Sequence, residues 1–422
     1  MKLPRLRHHH RHRLRGFGYL RRLGPGLVTG ASDDDPSGIG TYSQIGAAMR
    51  FGMLWTAPAA LPLAAAVQET SARLGMATGR GLASLIKERF SSRVLYPAVV
   101  LVVCANTFNI GADLGSMAAS IRLLVPAPFA LLVVVITVVT LGLEVLVPYH
   151  RYSKVLRWLT LSLAAYIAVL FAIDVRWGAV LTHTFVPSLR FDRSHLAALI
   201  AILGTTISPY LFFWQCSEEV EEEVEHRPAG PPTDEHVRAM RVDVVAGMVS
   251  AVAVMFAIMV ASAATLGAHG VTTVQTADQA ARALRPIAGS VASLLFAVGI
   301  VGTGLLAVPV LAGSTAYAMA ETFGWREGLY RKLRDAEGFY GVIVAGMAVG
   351  LALNFVGINP IRSLYFAAIL NGLVAPPLIV LMLILSNSRQ VVGRRTGKAL
   401  SNSLLVIAAA AMTALPIAYV LA

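Results

Sequence analysis

The chain has 422 residues, of which 56% are hydrophobic and only 14% are charged, and its mean hydropathy is +0.67. This composition is far from that of soluble domains and predicts an all-α integral membrane protein. The net charge of +12 does not indicate nucleic-acid binding, because the basic residues lie in a terminal segment and short loops, where anionic lipid is within reach. The sequence has no nucleotide-binding loop, nucleophile motif or cofactor fingerprint, so we expect neither an enzyme nor a cofactor.

Apolar segments of about 20 residues, enough for a helix to cross a bilayer, recur along the whole chain. They predict eleven transmembrane helices, near residues 26–48, 52–74, 94–123, 127–148, 155–174, 194–217, 241–267, 288–318, 339–358, 363–386 and 400–421. Residues 1–23 are predicted to form a basic, disordered cytoplasmic tail, and residues 24–422 a single transmembrane domain. Arginine and lysine concentrate in the tail and in loops on one side of this arrangement. The positive-inside rule therefore predicts an inner-membrane protein with a cytoplasmic N-terminus and an external C-terminus.

The first predicted span is interrupted by Asp33-Asp34-Asp35-Pro36, with Gly38 close behind. A charge at the bilayer centre costs about 3 kcal/mol or more, and proline removes a backbone hydrogen bond from a helix. Broken backbone is tolerated at membrane depth only where it is buried in protein or lines a cavity. The segment therefore predicts a helix broken in mid-membrane, with carboxylates at the break that bind a cation.

A second interruption occurs at residues 204–210, where Pro209 lies inside another apolar run. Pro36 lies in the first predicted span and Pro209 in the sixth, five spans further along the chain. Corresponding broken helices in two halves are typical of transporters built from inverted repeats, whose substrate lies between the breaks. We therefore predict a five-plus-five inverted repeat in which helices 1 and 6 are broken. The first repeat covers about 24–175, the second about 194–386, and an extra helix about 400–421.

Several motifs resemble those of the NRAMP divalent-metal transporters, and they cover essentially the whole chain. They are Gly24-Pro25-Gly26, Asp35-Pro36, Gln44 with Gly46-Ala47, the run 71–80, and Asn371-Gly372-Leu373 with Pro376. This resemblance implies the LeuT-type fold, eleven or twelve helices and a divalent metal ion as substrate. We expect the protein to act as a monomer surrounded by membrane lipid.

The residues at the two breaks depart from the family pattern. The family aspartate is present as Asp35, but Gly38 replaces an asparagine ligand, and Ser208 and Tyr210 replace a methionine and a histidine. Loss of the thioether favours hard cations, which bind carboxylate, carbonyl and hydroxyl oxygens. Gly38 also widens the pocket, which suits an ion that retains water, as Mg²⁺ does. The site is in this respect similar to that of the NRAMP-related magnesium transporters.

The predicted metal site therefore contains only oxygen ligands, for Mg²⁺ or Mn²⁺ as the substrate. The candidates are the carboxylates of Asp35 and Asp34, the backbone carbonyls of Ser32 and Thr205, and the hydroxyl of Ser208. Neighbouring residues point about 100° apart on a helix, so the three aspartates share one ion only if the backbone is unwound. For Asp33 the alternatives are a ligand, a vestibule residue and a proton-binding residue.

The resemblance also identifies the residues of the family's proton path. Its helix-three aspartate is present as Asp113, but its glutamate is replaced by Ser116, and a second histidine of helix six is replaced by Gln215. We therefore predict weak or absent proton coupling. Asp113 and Glu69 could form a remnant path, with Tyr210 near it, or simply a hydrogen-bonded pair that stabilises the bundle.

Two further acidic features lie outside the predicted site. Glu144 is expected near a helix end, reaching the membrane interface. The run 218–225 contains six glutamates and either attracts cations through its field or forms a solvated extension of helix six.

An alternative substrate follows from the loss of the family's asparagine and methionine ligands. The same fold could carry an organic or other non-metal cation that pairs with residues 33–35. Nothing in the sequence favours a membrane sensor without transport activity.

Overall fold

The computed structural model describes residues 24–147, 163–226 and 232–422, and every regular element within these ranges is helical. The predicted tail at 1–23 and the start of the fifth predicted span lie outside the described residues. The longer helices are α1 (Pro25–Asp33), α2 (Pro36–Met49), α3 (Thr56–Thr78), α4 (Leu82–Arg89), α5 (Ser92–Ile121), α6 (Phe129–Leu146), α7 (Ala164–Ala172), α8 (Trp177–Phe185), α9 (Arg193–Thr206), α10 (Pro209–His226), α11 (Asp234–Thr265), α12 (Ala292–Phe323), α13 (Glu337–Leu353), α14 (Pro360–Asn387) and α15 (Ala399–Leu421). Short helices and 3₁₀ turns occupy the connections, at Arg50–Met53, Gly267–His269, Ala277–Ala281, Arg282–Leu284, Arg285–Ala288, Gly289–Val291, Leu333–Asp335 and Arg389–Val392.

Each of the eleven predicted spans contains a helix in its described part. Among the described residues, seven helices are long and apolar enough to cross a membrane, with α9 and the first part of α10 counted as one. The α2–α3 pair, bent by 113°, would make an eighth, and α13 is an apolar helix just below the required length. The prediction of an all-helical integral membrane protein is confirmed.

Some helix boundaries differ from the prediction. Helix α11 begins at Asp234 rather than at 241, and α10 continues to His226, so it includes the acidic run. The short helices α4 and α8 were not predicted, because a hydropathy search for spans of about 20 residues does not detect helices of eight or nine residues.

The predicted breaks in helices 1 and 6 are both present. The first helix is divided into α1 and α2 around Asp34 and Asp35, and the sixth is divided into α9 and α10 around Ile207 and Ser208. In both cases the second half begins with a proline, whose missing N–H is tolerated in the first turn of a helix.

Each broken helix packs against a helix of the other repeat. Helix α1 packs against α11, which follows the second broken helix in the chain, and α10 packs against α3, which follows the first. Helix α5 packs against α12, α13 and α14 and closes the site from the other side. Each broken helix is thus held in place by a helix from the opposite repeat.

Glycines permit the broken helices to approach their neighbours closely. A Cβ atom added to Gly30 would lie 2.4 Å from the backbone of Gly247, where α1 meets α11. A Cβ atom added to Gly204 would lie 2.0 Å from the Ala368 carbonyl oxygen, where α9 meets α14. Small residues at such crossings bring backbones together and substitute packing for the hydrophobic effect, which is weak between helices in lipid.

A buried pair of amides joins α5 to α14. The Asn109 side chain donates to the Asn371 Oδ1 atom at 2.9 Å, and the Asn371 amide donates back at 3.3 Å. Because both groups are fully buried and satisfy each other, the pair fixes the register of the two helices beside the site.

Candidate ion-binding site

Three aspartates occupy the break in the first helix. Asp33 is the last residue of α1, and Asp34 and Asp35 form the non-helical link to α2. Asp35 is the N-cap of α2, and its Oδ1 atom accepts a hydrogen bond from the Gly38 amide at 2.6 Å. All three side chains are buried, with exposures of 2%, 5% and 1%. The break therefore places three carboxylates in the interior, and that of Asp35 lies at the positive end of the α2 dipole.

The second break exposes backbone carbonyls in a similar way. The Ser208 hydroxyl donates to backbone carbonyls at the end of α9. Its oxygen lies 3.0 Å from the Gly204 carbonyl oxygen and 2.8 Å from the Thr205 carbonyl oxygen. The hydroxyl of Thr205 has no hydrogen-bond partner among the described residues. This break therefore supplies hydroxyl and carbonyl oxygens rather than charge.

Direct contacts join the two breaks. The Tyr210 hydroxyl donates to the Ser32 carbonyl at 2.9 Å. A Cβ atom added to Gly38 would lie 3.4 Å from the Thr205 hydroxyl oxygen, so Gly38 faces the second break. The structure thus brings together the predicted ligand positions of both helices in one buried region, as the inverted-repeat interpretation requires.

Asp113 of α5 completes this region. Its side chain is fully buried and interacts electrostatically with Asp35, and neither of its carboxylate oxygens has a hydrogen-bond partner within the described ranges. Asp33 Oδ1 is likewise without a partner there. Buried carboxylates without partners are costly, and a bound cation would compensate them.

Two hydroxyl residues of α2 were missed by the sequence analysis. Ser37 and Thr41 are buried, and their hydroxyl oxygens have no hydrogen-bond partner in the part of the chain that the structure describes. They are four residues apart and so lie on one face of α2. Ser37 lies close to both Asp35 and Asp113. This spacing after the acidic break is the signal that could have identified them.

The candidate metal ligands are oxygen atoms of several kinds. Among the described residues, no group of three or more His, Cys, Asp or Glu side chains is arranged to hold a metal ion. A cation in this region would therefore be bound by one or two carboxylates together with hydroxyl and carbonyl oxygens. A carbonyl such as that of Ser32 has a second lone pair after it accepts from Tyr210, so that hydrogen bond does not prevent coordination.

Of the two alternatives for Glu69 and Asp113, the hydrogen-bonded pair is wrong. Glu69 of α3 accepts from Arg73 at 3.2 Å and from Arg241 of α11 at 2.8 Å. Asp113 makes no hydrogen bond with Glu69 or with any other described residue. Two nearby arginines stabilise the charge of Glu69 and make it part of an ion-pair cluster between α3 and α11.

The expectation that Glu144 reaches the membrane interface is also wrong. Its side chain is 4% exposed, and neither carboxylate oxygen has a partner among the residues described. Glu144 is close to the end of α6, but its side chain is directed inward and interacts electrostatically with Tyr340 of α13. Position along the helix alone did not reveal this direction.

The first glutamates of the acidic run of α10 form hydrogen bonds with other parts of the protein. Glu219 is 2% exposed and accepts from Gln215, whose own carbonyl oxygen accepts from Thr29 of α1. Glu221 accepts from the Tyr317 hydroxyl and from the Leu329 amide. A wholly solvated helix extension is therefore incorrect for this part of the run.

Glu327 lies close to this run, in the loop between α12 and α13. Burial raises the pKa of its carboxyl to about 9, the neighbouring Glu321 and Glu221 raise it as well, and Arg331 opposes the shift. The folded protein therefore binds a proton at Glu327 more tightly than the unfolded chain does. The stability gained in this way is complete below about pH 4.5 and is lost as the pH rises towards 9.

Replacing Glu327 with glutamine is expected to raise the melting temperature at pH 8.5 by a few degrees and to change it little at pH 5.5. Glutamine keeps the side chain neutral at both pH values. Thermal unfolding in detergent at the two pH values measures this, with the exposed Glu337→Gln as control. Equal melting temperatures for wild type and Glu327→Gln at pH 8.5 would contradict the prediction that ionisation of the buried Glu327 carboxyl destabilises the folded protein.

Comparison with known proteins places these features in a family. The sequence model described as natural resistance-associated macrophage protein-like matches residues 26–422. The divalent metal cation transporter MntH of Verminephrobacter eiseniae is 28% identical over 406 residues, which are 93% of this chain and 87% of the relative. The crystal structure of the Eremococcus coleocola manganese transporter matches with a TM-score of 0.74 at 19% identity, over 95% of this chain and 87% of that one. MhsT in complex with L-phenylalanine matches with a TM-score of 0.64 at 14% identity, over 94% and 98%.

The helical membrane fold and the two facing breaks define a membrane protein of the LeuT-type fold. Likeness at such low identity to solved structures shows the fold alone. The family match extends over nearly the whole described chain, and the chain belongs to the natural resistance-associated macrophage protein (NRAMP) family.

Proposed function

We propose that this NRAMP member transports divalent metal cations through the region between the two helix breaks, with Mg²⁺, Mn²⁺ or both as its substrates. The observation that carries the proposal is the buried Asp35, placed where both breaks meet. The carboxyl groups of Asp33 and Asp113 lie nearby, and Asp33 Oδ1 and both Asp113 carboxyl oxygens lack hydrogen-bond partners among the described residues. A bound divalent cation would compensate this concentration of buried carboxyl groups.

The chemistry of the donors supports hard ions. Ser208 stands where the family has a methionine, and Tyr210 where it has a histidine, so this break offers hydroxyl and carbonyl oxygens. Oxygen ligands suit Mg²⁺ and Mn²⁺, whereas thioether and imidazole ligands favour softer transition metals. Manganese is also supported by the family, since a solved relative is a manganese transporter.

We assign the following roles. Asp35 is the principal side-chain ligand, and Asp34, the most exposed of the three aspartates, is the second. The carbonyls of Ser32 and Thr205 and the hydroxyl of Ser208 complete the coordination, together with water that the ion retains. Asp33 acts from the same break, as a third ligand or a vestibule charge.

Proton coupling is proposed to be weak or absent. Glu69 is committed to Arg73 and Arg241, so it offers no continuation of a path from Asp113. Metal influx into proteoliposomes that contain a pH-sensitive dye should therefore proceed without matching acidification. Acidification that accompanies influx and is abolished by Asp113→Asn would overturn this part of the proposal.

Transport is tested by reconstituting the full chain in liposomes and following entry of Mg²⁺, Mn²⁺ and Ca²⁺ with internal indicators. We expect Mg²⁺ or Mn²⁺ to enter faster than into protein-free liposomes, and Asp35→Ala to abolish the difference. If no divalent ion enters, or if Asp35→Ala behaves as the wild type, metal transport is refuted. The remaining candidate would then be an organic cation that pairs with residues 33–35.

A further inference from the structure

A strongly basic cavity of about 740 Å³ lies away from the ion-binding region, on the side that the positive-inside rule assigns to the cytoplasm. It is formed by the end of α3, the start of α11 and the segment between α14 and α15. Its lining includes six basic side chains, those of Arg73, Arg238, Arg241, Arg394, Arg395 and Lys398, and the single acid Asp234.

The carboxylates around this cavity are too few to neutralise it. Glu69 is shared between Arg73 and Arg241, at 3.2 and 2.8 Å. Arg395 lies 3.6 Å from Asp234, whose side chain is fully exposed to solvent. The other three basic side chains make no ion pair within the described ranges: Arg238, Arg394 and Lys398. Among the described residues, the six positive charges therefore face two negative ones, Glu69 and Asp234.

Part of this cavity is held in a fixed geometry. Arg73 donates to the Arg395 carbonyl at 2.8 Å, and the Arg395 guanidinium donates to the Pro232 carbonyl. Arg73 is almost completely buried. These contacts orient two arginines before any ligand arrives, which lowers the entropy lost on binding.

The chemistry selects a phosphate-bearing anion. Guanidinium groups match phosphate oxygens with two parallel hydrogen bonds, and lysine adds a point charge. Basic pockets between transmembrane helices on the cytoplasmic side are suited to phosphate head groups. We propose that this cavity binds a phosphate-bearing anion, either the head group of an acidic phospholipid or a free polyphosphate.

The bound anion would connect helices that hold the two breaks. Helix α3 packs against α10, and α11 packs against α1, while Arg394, Arg395 and Lys398 come from the segment before α15. One ligand therefore bridges the supports of both broken helices. The proposal rests on the cavity alone and does not depend on which ion is transported.

The test compares two triple variants of the full chain, purified in an uncharged detergent. Arg238→Ala, Arg394→Ala and Lys398→Ala remove three charges from the cavity. The matched control removes three exposed charges on the same predicted side but outside the cavity: Lys87→Ala, Arg89→Ala and Arg93→Ala. The probes are dioleoylphosphatidylglycerol, inorganic triphosphate and, as a zwitterionic lipid without net charge, dioleoylphosphatidylcholine.

The melting temperature of the wild type and of the control variant should rise by about 5 °C with saturating probe, as expected for ligand at a hundredfold excess over its Kd. The cavity variant should show less than a third of this shift.

A shift with phosphatidylglycerol alone identifies a lipid head group, and a shift with triphosphate as well identifies a site for free polyphosphate. Native mass spectrometry should show at least one phosphatidylglycerol retained by the wild type and lost from the cavity variant. No shift with either anion, or equal shifts in the two triple variants, overturns the proposal.

Discussion

Replacing Asp35 with asparagine is expected to reduce divalent-metal influx by about a hundredfold or more while leaving the fold intact. Asp35 has two roles in the structure, as the N-cap of α2 and as the charge at the meeting point of the breaks. Asparagine caps a helix about as well as aspartate, so the hydrogen bond to the Gly38 amide is retained. The loss of the charge removes about 2.7 kcal/mol of ion binding, which corresponds to the hundredfold effect.

A matched variant separates these two roles. Asp192 caps α9 in the same way, accepting from the His195 amide, but it lies on an exposed loop away from the breaks. Asp192→Asn should leave influx within about twofold of the wild type, since it preserves the cap and removes a charge that binds no ion. Initial rates of Mn²⁺ and Mg²⁺ entry, together with melting temperatures, measure both variants. Wild-type influx through Asp35→Asn would show that the carboxylate charge is not used in transport.

Replacing Gly204 with alanine is expected to reduce the yield of folded protein severely. The added Cβ atom would lie 2.0 Å from the Ala368 carbonyl oxygen and 2.4 Å from the Gly372 amide nitrogen. Both are backbone atoms, so α9 and α14 must move apart, and overpacking of this kind costs about 1–3 kcal/mol or more. Because α9 ends at the second break, this movement also disturbs the ion-binding region.

Gly142→Ala is the control for this effect. Gly142 lies inside α6, and among the described residues a Cβ atom added there has no atom within 4 Å apart from those of its own stretch of helix. Alanine is the better helix former by roughly 0.5–1 kcal/mol, so this variant should be as stable as the wild type or slightly more stable. Size-exclusion profiles and melting temperatures in detergent compare the two substitutions. A Gly204→Ala protein that is as stable as the Gly142→Ala protein would contradict the close approach of α9 and α14.

The sequence was sufficient to predict the two breaks because their causes are local. Consecutive aspartates before Pro36, and Pro209 within an apolar run, conflict with a continuous helix whatever surrounds them. The repeat spacing predicts that the two breaks lie together and form one site, and the hydrogen bond from Tyr210 to the Ser32 carbonyl agrees with this prediction. The fold class and the candidate ligand positions were therefore accessible without coordinates.

The partners of the other buried acids were not accessible in this way. Glu69 and Glu144 both lie in apolar helices, and only Arg73, four residues after Glu69, offered a local signal of an ion pair. The arginine that binds Glu69 from α11 is far away in the chain. Charge runs are usually solvated, so burial of Glu219 could not be predicted from its neighbours in sequence either.

The exchange of packing partners between the repeats has a consequence for how the protein is made. Helix α1 leaves the ribosome long before α11, the helix against which it packs, has been synthesised. Until then the carboxylates at its end lack the enclosure that they have in the finished protein, and a lipid environment would be costly for them. The first half of the chain therefore cannot mature alone. Insertion of the aspartate-bearing segment is completed only when the second half arrives, so the two halves assemble as one unit.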